Sequence, residues 1–558
     1  MRPCVLAVLA LFYSYASRAQ TAAPAAEDAS PASYTRQDSL RGSLRPERTG
    51  YDVTFYDLNV AVNPATRTID GTNTIRYRVK QPFSRMQIDL FANLEIGAIT
   101  QNGKPLEFQR EGNAVFVTMG GPQPVGKVQE IRVVYRGKPV EAKSPPWDGG
   151  FSWSKDSTGR DWVGVSCEGL GASSWWPCKD HLSDEPDSMR MTFRVPNGLM
   201  CVSNGRLVGK REAGAGQTEF TWAVSYPINS YNVTFNLGDY VRIQDQYRSR
   251  DFKFLDLNYY VLRYNEAKAV SHFAQVKGML DCYEWHFGHF PFWRDGYALV
   301  ETPYWGMEHQ SAIAYGNNYK NNPFGFDFII IHESGHEYFG NSLSCADPAE
   351  MWIHEAFTTY MESLYVESTE GYEKAVKYLM TQKKLIKSQF PMVGPAGVNF
   401  EPKDNDIYYK GAWMLHTLRN VVDNDDVWFI ALRKLALQKK HSIVSTAEIV
   451  DILSRETKMD LKPIFDQFLN YAKPPIIEYQ LTEKGDDLEI RHRWIAEAPG
   501  FDMPLKFRFA FGPWHTLRPT REWQTTTVRR TKGWFSLAYE LQWFGTRQLL
   551  EGDTPTQN

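Results

Sequence analysis

The chain has 558 residues, of which 42% are hydrophobic and 23% are charged, and its formal net charge is −3. A chain of this length exceeds what one hydrophobic core usually organises, so we expect several domains. Without a basic surplus or a long lysine- and arginine-rich tract, the composition argues against a nucleic-acid partner. An aromatic content of 14% favours β-rich modules with wide binding surfaces.

The N-terminus has the pattern of a secretory signal peptide. A positive charge precedes an apolar run over residues 5–12, and small residues follow before Ala19. We therefore predict a signal peptide over residues 1–19, cut after Ala19, and a secreted or periplasmic protein. Cys4 lies before the apolar run, unlike a lipoprotein cysteine, and no later stretch approaches the roughly 18 apolar residues of a membrane span.

The cysteines give no metal signature. The five that follow the predicted cleavage point are odd in number and contain no CxxC pair or ligand-like spacing. Cys167 and Cys178 could form a bridge in an oxidising compartment, but buried free thiols also fit the sequence. The five residues are Cys167, Cys178, Cys201, Cys282 and Cys345.

The first part of the chain after the signal divides into a linker and a β domain. Residues 20–48 are rich in Ala, Pro and Ser and lack apolar periodicity, which indicates a flexible linker, with folded structure beginning near Tyr51. From residue 49 to 244, short alternating apolar runs are separated by turn signals. This pattern predicts an N-terminal β domain.

The hydrophobic period changes to three or four residues over residues 245–472, which predicts a mostly helical domain. Alternation returns over residues 473–548 and indicates a small C-terminal β sandwich, followed by a tail over residues 549–558. The predicted fold class is therefore α+β, with several domains.

Residues 332–336 read H-E-x-x-H within a segment, 324–340, that can form a helix. At this spacing His332 and His336 lie on one helical face and can bind one cation. Glu333 is adjacent and can accept a proton from the attacking water as a general base, without being a ligand.

The third ligand is predicted to be Glu355. Eighteen residues separate it from His336, and the helical segment 349–366 surrounds it with apolar neighbours such as Trp352 and Phe357. An ionised carboxylate is costly to bury there without a partner, and a metal ion compensates it. Two imidazoles, one carboxylate and a water make a tetrahedral site with an open position, as in a hydrolytic zinc centre, so we predict one Zn²⁺ per chain.

These residues resemble the motifs of the aminopeptidase N family of gluzincins, which includes the leukotriene hydrolase type enzymes. Segment 332–341 is similar to the zinc helix of the family. Segment 352–357 is similar to its third-ligand helix, with His354 where the family has Asn.

A third segment, 305–309, resembles the exopeptidase motif G-x-M-E-N. Trp305 takes the place of the first Gly, and His309 takes the place of the final Asn. The resemblance implies that Gly306 and Met307 contribute to substrate binding and that Glu308 binds the substrate amine.

Two further positions carry roles implied by the resemblance. Glu168 lies in the segment where the family places a Gln or Glu that binds the substrate amine. Tyr408 is the first residue of a Y-x-K-G motif and corresponds to the family's transition-state tyrosine. A phenol near the metal can stabilise the oxyanion of the tetrahedral intermediate.

The resemblance extends over about residues 50–470. It implies an N-terminal β saddle, a thermolysin-like catalytic domain and a small β sandwich. Many family members continue into a large helical domain that caps the active site, whereas this sequence ends at residue 558. We therefore expect a more open cleft, or one closed by a partner subunit.

The sequence thus predicts an exported zinc aminopeptidase that removes N-terminal residues from peptides with a free N-terminus. Two alternatives are a catalytically altered peptide-binding homologue and a zinc hydrolase with a non-peptide, epoxide-like substrate. Retention of the ligands, Glu333 and Tyr408 argues against the first alternative. The oligomeric state, the preference for the first residue and the peptide length stay open.

Overall fold

The structure, a computed structural model, describes residues 34–556. The predicted signal peptide, residues 20–33 of the predicted linker and the last two residues of the predicted tail lie outside the described residues. Within the described range, no helix is both long enough and apolar enough to cross a membrane.

The described part of the predicted linker is folded, so the structure differs from the prediction over residues 34–48. Two short helices, α1 (Arg36–Gly42) and α2 (Pro46–Thr49), precede the first strand. The Arg48 side chain is fully buried and its guanidinium lies 2.6 Å from Asp89. Helices this short show no apolar periodicity. An arginine that is buried against a partner distant in sequence also cannot be told from a surface charge, so the sequence predicted a linker here.

Three sheets form the N-terminal β domain. The largest has eight strands in the order β13-β14-β11-β1-β2-β8-β4-β5, and its strands alternate buried and exposed residues. The others have the orders β12-β15-β10-β9 and β3-β7-β6. The strands are β1 (Tyr51–Asn63), β2 (Thr68–Val79), β3 (Arg85–Asp89), β4 (Leu94–Gln101), β5 (Lys104–Pro105), β6 (Phe108–Glu111), β7 (Ala114–Thr118), β8 (Val128–Gly137), β9 (Gly150–Lys155), β10 (Asp161–Ser166), β11 (Ser188–Pro196), β12 (Met200–Ser203), β13 (Arg206–Gly214), β14 (Gln217–Val224) and β15 (Phe235–Gly238).

The catalytic domain begins with a five-stranded sheet in the order β16-β17-β18-β20-β19. The boundary predicted between residues 244 and 245 falls inside its first strand, which pairs with the second along its whole length. Apolar and polar residues continue to alternate across residues 244 and 245, so the sequence does not indicate where the N-terminal sheets end and the sheet of the catalytic domain begins. The strands are β16 (Tyr240–Arg248), β17 (Phe254–Leu262), β18 (Tyr297–Glu301), β19 (Gly306–Met307) and β20 (Ile313–Tyr315).

Helices make up most of the remaining catalytic domain and surround a large shared core. The predicted helical segment 324–340 contains a helix of only eight residues, because the chain turns after Gly335. The helices are α3 (Glu266–His272), α4 (Gln275–Phe287), α5 (Phe328–Gly335), α6 (Trp352–Glu370), α7 (Tyr372–Lys383), α8 (Asp406–Val422), α9 (Asp425–Gln438), α10 (Thr446–Thr457) and α11 (Lys462–Asn470), with a strand pair of β21 (Leu343–Cys345) and β22 (Ser442–Val444).

The C-terminal module consists of two small sheets, ordered β27-β24-β23-β29 and β26-β25-β28. Its core is continuous with that of the catalytic domain, where Phe468 stacks on Trp543 at 5.7 Å between ring centroids. The described part of the tail is attached, since the Thr556 amide donates to Glu478 at 2.9 Å. The strands are β23 (Ile476–Lys484), β24 (Asp487–Ile495), β25 (Leu505–Phe509), β26 (His515–Leu517), β27 (Gln524–Arg529), β28 (Phe535–Leu537) and β29 (Gly545–Gln548).

The α+β prediction, with an N-terminal β domain and a helical catalytic domain, is confirmed. In the described part of the chain the cysteines are buried free thiols, which is the second of the two readings that the sequence left open.

Candidate active site

The two histidines of the H-E-x-x-H motif converge at the C-terminal end of α5. Asp327 begins the helix by accepting the Ile329 amide, and His336 is the first residue after the last helical turn. The Nε2 atoms of His332 and His336 lie 3.3 Å apart. Two nitrogens held about 2.0–2.1 Å from one tetrahedral zinc ion would be separated by about 3.3 Å, so the pair has the spacing of zinc ligands.

Glu355 completes the set from the first turn of α6. Its Oε2 atom lies 3.7 Å from His332 Nε2 and 3.5 Å from His336 Nε2. This oxygen is buried and has no hydrogen-bond partner among the described residues. Burial alone raises the pKa of Glu355, but the His336 and His332 imidazoles hold it below its ordinary value. An ionised, unpartnered oxygen facing two imidazoles fits a zinc ligand.

The same helix also contacts one of the predicted ligands from behind. Two turns after Glu355, the buried Glu362 carboxylate lies 2.7 Å from His332 Nδ1. A proton held on Nδ1 leaves Nε2 free to bind metal, which is the usual arrangement of a carboxylate behind a ligand histidine. Tyr378 and Gln382 donate to the other oxygen of Glu362 and fix its position. Glu362 was not predicted from the sequence, although its seven-residue spacing from Glu355 places both on one face of the helix.

Glu333 lies on α5 beside these ligands and is buried. Burial raises its pKa, and the two neighbouring imidazoles oppose the shift. Gly306 on the edge strand β19 lies against it, since a Cβ added there would be 2.7 Å from Glu333 Oε1. The backbone of residue 306 can approach the base only because it is glycine.

Two carboxylates from different domains meet next to the zinc ligands. Glu168 follows β10 in the N-terminal domain, and Glu308 follows β19 in the catalytic domain. Carboxylate oxygens of Glu168, Glu308 and Glu355 lie within 4.8 Å of one another. Burial raises the pKa of Glu168 and of Glu308 well above the ordinary value, and the neighbouring carboxylates raise both further. Tyr231 donates its hydroxyl to Glu308 at 3.0 Å.

Tyr408 lies in the first turn of α8, and its ring stacks on that of His332 at 6.1 Å between centroids. Burial raises its pKa well above the ordinary value, and the Glu355 carboxylate adds to the shift, so the phenol keeps its proton. Such a group donates a hydrogen bond and does not act as a base.

The structure brings every predicted site residue to one cavity of about 780 Å³ between the N-terminal and catalytic domains. Its lining includes His332, Glu333, His336, Glu355, Tyr408, Glu168, Glu308, Gly306 and Met307.

The two histidines that depart from the family pattern lie just behind the site. His354 accepts the Cys345 amide at 2.9 Å through Nε2, and burial lowers its pKa to about 3. His309 is buried, and neither of its ring nitrogens has a partner among the described residues. Burial lowers its pKa to about 3 as well, so both imidazoles are neutral.

The chain is similar to known peptidases in sequence and in fold. Residues 326–468 match the Peptidase family M1 domain. The chain is 24% identical to mouse Aminopeptidase B over 506 residues, covering 81% of this chain and 74% of that protein. It is 21% identical to Leucyl aminopeptidase of Saccharolobus solfataricus, covering 71% of this chain and 51% of that protein.

Solved structures show the same fold. A two-domain M1 zinc metallopeptidase mutant bound to L-tryptophan superposes with a TM-score of 0.66 at 21% identity, over 75% of this chain and 94% of that chain. A mutant M1 zinc metallopeptidase of Deinococcus radiodurans bound to a Tyr-Ser-Ala substrate superposes with a TM-score of 0.65 at 21% identity, over 77% and 97%.

The fold and the three converging ligands define a zinc metallopeptidase. The match to the M1 domain over residues 326–468, the aminopeptidase relatives and the shared fold together support an aminopeptidase N-like gluzincin. The predicted family, enzyme class and zinc cofactor are confirmed, whereas the roles of individual site residues stay predictions.

Replacing Glu362 by Gln tests the support behind His332. Loss of a carboxylate behind a ligand histidine typically weakens metal binding by about 10–100-fold, and we expect that loss here. Competition with a chromophoric chelator gives the zinc dissociation constant. Glu370→Gln on the same helix is the control, because Glu370 is exposed and pairs with Lys374. Unchanged zinc affinity in Glu362→Gln would show that Glu362 only packs against the histidine.

Proposed function

We propose that this zinc peptidase is an exported aminopeptidase that cleaves the first peptide bond of substrates with a free N-terminus. One observation carries the proposal. The Glu168 and Glu308 carboxylates lie within 4.8 Å of each other and of the ligand Glu355. A protonated amine next to the zinc site is the complement of this arrangement, and its charge would relieve the repulsion between the buried carboxylates.

Glu168 and Glu308, which we call the amine anchor, determine which bond is cut. With the α-amino group held between Glu168 and Glu308, only the first peptide carbonyl is close enough to reach the metal ligands. An internal bond would leave the two carboxylates facing each other without a cation, which is costly in a desolvated cleft. The carboxylate pair therefore favours a peptide amine, and nothing in the site favours an epoxide.

His332, His336 and Glu355 would hold the zinc ion. When bound, zinc lowers the pKa of a water molecule and polarises the substrate carbonyl. Glu333 accepts the proton of the attacking water and returns it to the leaving nitrogen, a role suited to a buried carboxylate whose pKa is raised. The protonated Tyr408 phenol donates a hydrogen bond to the oxyanion that develops on the former carbonyl.

The export is supported by the pattern of residues 1–19 alone. Mature protein recovered from outside the cytoplasm should begin at Gln20, and N-terminal sequencing checks this. Recovery of the intact N-terminus from the cytoplasm would remove export from the proposal.

Blocking the substrate amine tests the aminopeptidase assignment. Removing one partner of a buried charge-assisted contact costs about 2 kcal/mol or more, which is about thirtyfold in kcat/KM. We expect N-acetylation of a good aminoacyl substrate to reduce kcat/KM by at least this factor. Glu308→Gln should reduce cleavage of the free-amine substrate far more than that of the acetylated one.

Glu401→Gln is the matched control, because Glu401 lines the same cavity but is exposed. It should change both rates by less than about threefold, as expected for a solvated charge. Comparable cleavage of free and acetylated peptides would overturn the aminopeptidase assignment and leave the zinc peptidase class intact.

Tyr408→Phe tests the oxyanion role. The change removes only a hydroxyl, and loss of an oxyanion donor typically lowers kcat by about a hundredfold or more, with little change in KM. Tyr409→Phe removes the same group from the neighbouring half-buried tyrosine of the cavity wall and should have a small effect. Steady-state kinetics separates the two parameters. A loss confined to KM, or an equal loss in both variants, would contradict the assigned role of Tyr408.

A further inference from the structure

A row of aromatic rings leads from a zinc ligand to the mouth of the cavity. Phe328 stacks on His332 with ring centroids 5.1 Å apart and planes 19° apart. Trp305 stacks on Phe328 at 5.4 Å and 17°. Trp147 lies next to Trp305 at 6.3 Å. We call Phe328, Trp305 and Trp147 the aromatic wall, and all three line the same cavity as the metal ligands.

The outer part of the aromatic wall is exposed and held in place. Trp147 is 72% exposed and Trp305 is 42% exposed, which is unusual for such large apolar groups. The Trp305 indole N–H donates to Asn317 Oδ1 at 3.1 Å, and its carbonyl accepts the Gly316 amide at 2.7 Å. The indole face is therefore presented to the cleft in a fixed orientation.

The position of Trp305 is also a point at which this chain departs from its family. In the motif that residues 305–309 resemble, the first residue is glycine. Here an indole occupies that place and stacks on Phe328, the first residue of the helix that carries His332. Zinc binding and general-base catalysis do not need this ring, because the other named residues supply them.

The direction in which the peptide binds places the aromatic wall beside the leaving group, on the C-terminal side of the cleaved bond. Glu333 returns the proton to the leaving nitrogen, so that nitrogen lies beside the Glu333 carboxylate. Gly306 is in contact with this carboxylate, and Trp305 is the next residue along the cavity wall. Glu308 is within 4.8 Å of both Glu333 and Glu355, whereas Glu168 is grouped only with Glu308 and Glu355, so the amine anchor extends away from Glu333 toward Glu168.

We propose that the aromatic wall is a subsite that selects an apolar, preferably aromatic, side chain on the residue immediately after the cleaved bond. This proposal rests on the aminopeptidase function and adds a specificity for the residue that follows the cleaved bond. Stacked and tilted rings offer a flat apolar surface on which another ring packs in an offset or edge-on arrangement. At Trp305 a polar side chain would find no free donor, since the indole N–H is already bonded to Asn317.

Dipeptide amides that share the first residue isolate this subsite. With the zinc-loaded enzyme, we expect kcat/KM for Ala-Phe-NH₂ to exceed that for Ala-Gly-NH₂ by at least about tenfold, the discrimination that apolar pockets typically reach. Ala-Leu-NH₂ should lie between them and Ala-Asp-NH₂ below them. The absence of a preference for Phe over Gly would overturn the proposal.

Variants assign the preference to particular rings. Trp305→Gly should reduce the Phe-to-Gly ratio to below about threefold, whereas Trp305→Phe should retain most of it. Trp147→Ala should reduce the ratio in part. Because Trp147 is largely exposed, its removal leaves no buried cavity, so this variant decides the question if Trp305→Gly fails to fold. An unchanged ratio in Trp305→Gly, or in Trp147→Ala where the former does not fold, would contradict the proposal.

A control variant and a binding measurement complete the test. Trp534→Ala removes a tryptophan of similar exposure, 62%, from the C-terminal module and should leave the ratio unchanged. Calorimetry with Glu333→Gln should show tighter binding of Ala-Phe-NH₂ than of Ala-Gly-NH₂, and loss of that difference when Trp305 is also replaced by Gly. Equal binding of the two peptides would count against the subsite.

The outcomes separate this proposal from the function on which it rests. If acetyl-Ala-Phe-NH₂ is cut as well as Ala-Phe-NH₂, the amine anchor fails while a preference that depends on Trp305 still supports the subsite. If a free amine is required but the residue after the bond has no influence, the aminopeptidase assignment stands and the subsite fails.

Discussion

The active site depends on one buried carboxylate that faces two imidazoles. Glu355 is almost fully buried, and its Oε2 atom has no partner among the described residues. An isolated ionised carboxylate in such a place is strongly unfavourable, and the compensation comes from His332 and His336 and from the cation that the three residues can share. The packing of α5 against α6 brings these side chains together. The same packing places Glu362 behind His332, so one helix supplies both a predicted ligand and the carboxylate that contacts another predicted ligand.

The proposed amine anchor imposes a second constraint, because its two carboxylates come from different domains. Their distance is maintained by hydrogen bonds behind the Glu308 loop. Asn341, which follows α5, donates to the Glu308 carbonyl at 2.9 Å and accepts from Asn232 of the N-terminal domain at 2.8 Å. Glu337 accepts the Ser311 amide at 2.7 Å. The residues directly after the zinc helix therefore fix the position of the substrate loop and join the two domains at that point.

The sequence predicted the parts of the site that follow from local spacing. Helical periodicity places His332 and His336 on one face, and Glu355 is a single carboxylate among apolar neighbours. Both patterns can be recognised in the sequence without a structure. Glu168, Glu308 and Tyr408 came from the family resemblance, because no local pattern distinguishes a binding glutamate from a surface one. The end of α5 after Gly335 could not be predicted from the sequence. The chain continues there in tight turns whose residues are as apolar as those of a helix.

Groups that act through distant contacts could not be predicted. The aromatic wall needs β19 to lie alongside α5, and that arrangement is set by the fold of the whole domain. The linker prediction failed over residues 34–48 for a similar reason, because helices of seven and four residues have too little period to detect. What stabilises them is tertiary, as in the contact of Arg48 with Asp89.

The N-terminal segment also closes one side of the active-site cavity. Gly42, at the end of α1, approaches the backbone of Val398 so closely that a Cβ would lie 2.1 Å from its carbonyl carbon. The neighbouring Asn399 amide donates to the Asp38 carbonyl at 3.1 Å. Arg41 and the loop residues after Val398 line the cavity together. Since that loop leads into the first turn of α8, the segment that resembled a linker also supports the backbone from which Tyr408 reaches the zinc ligands.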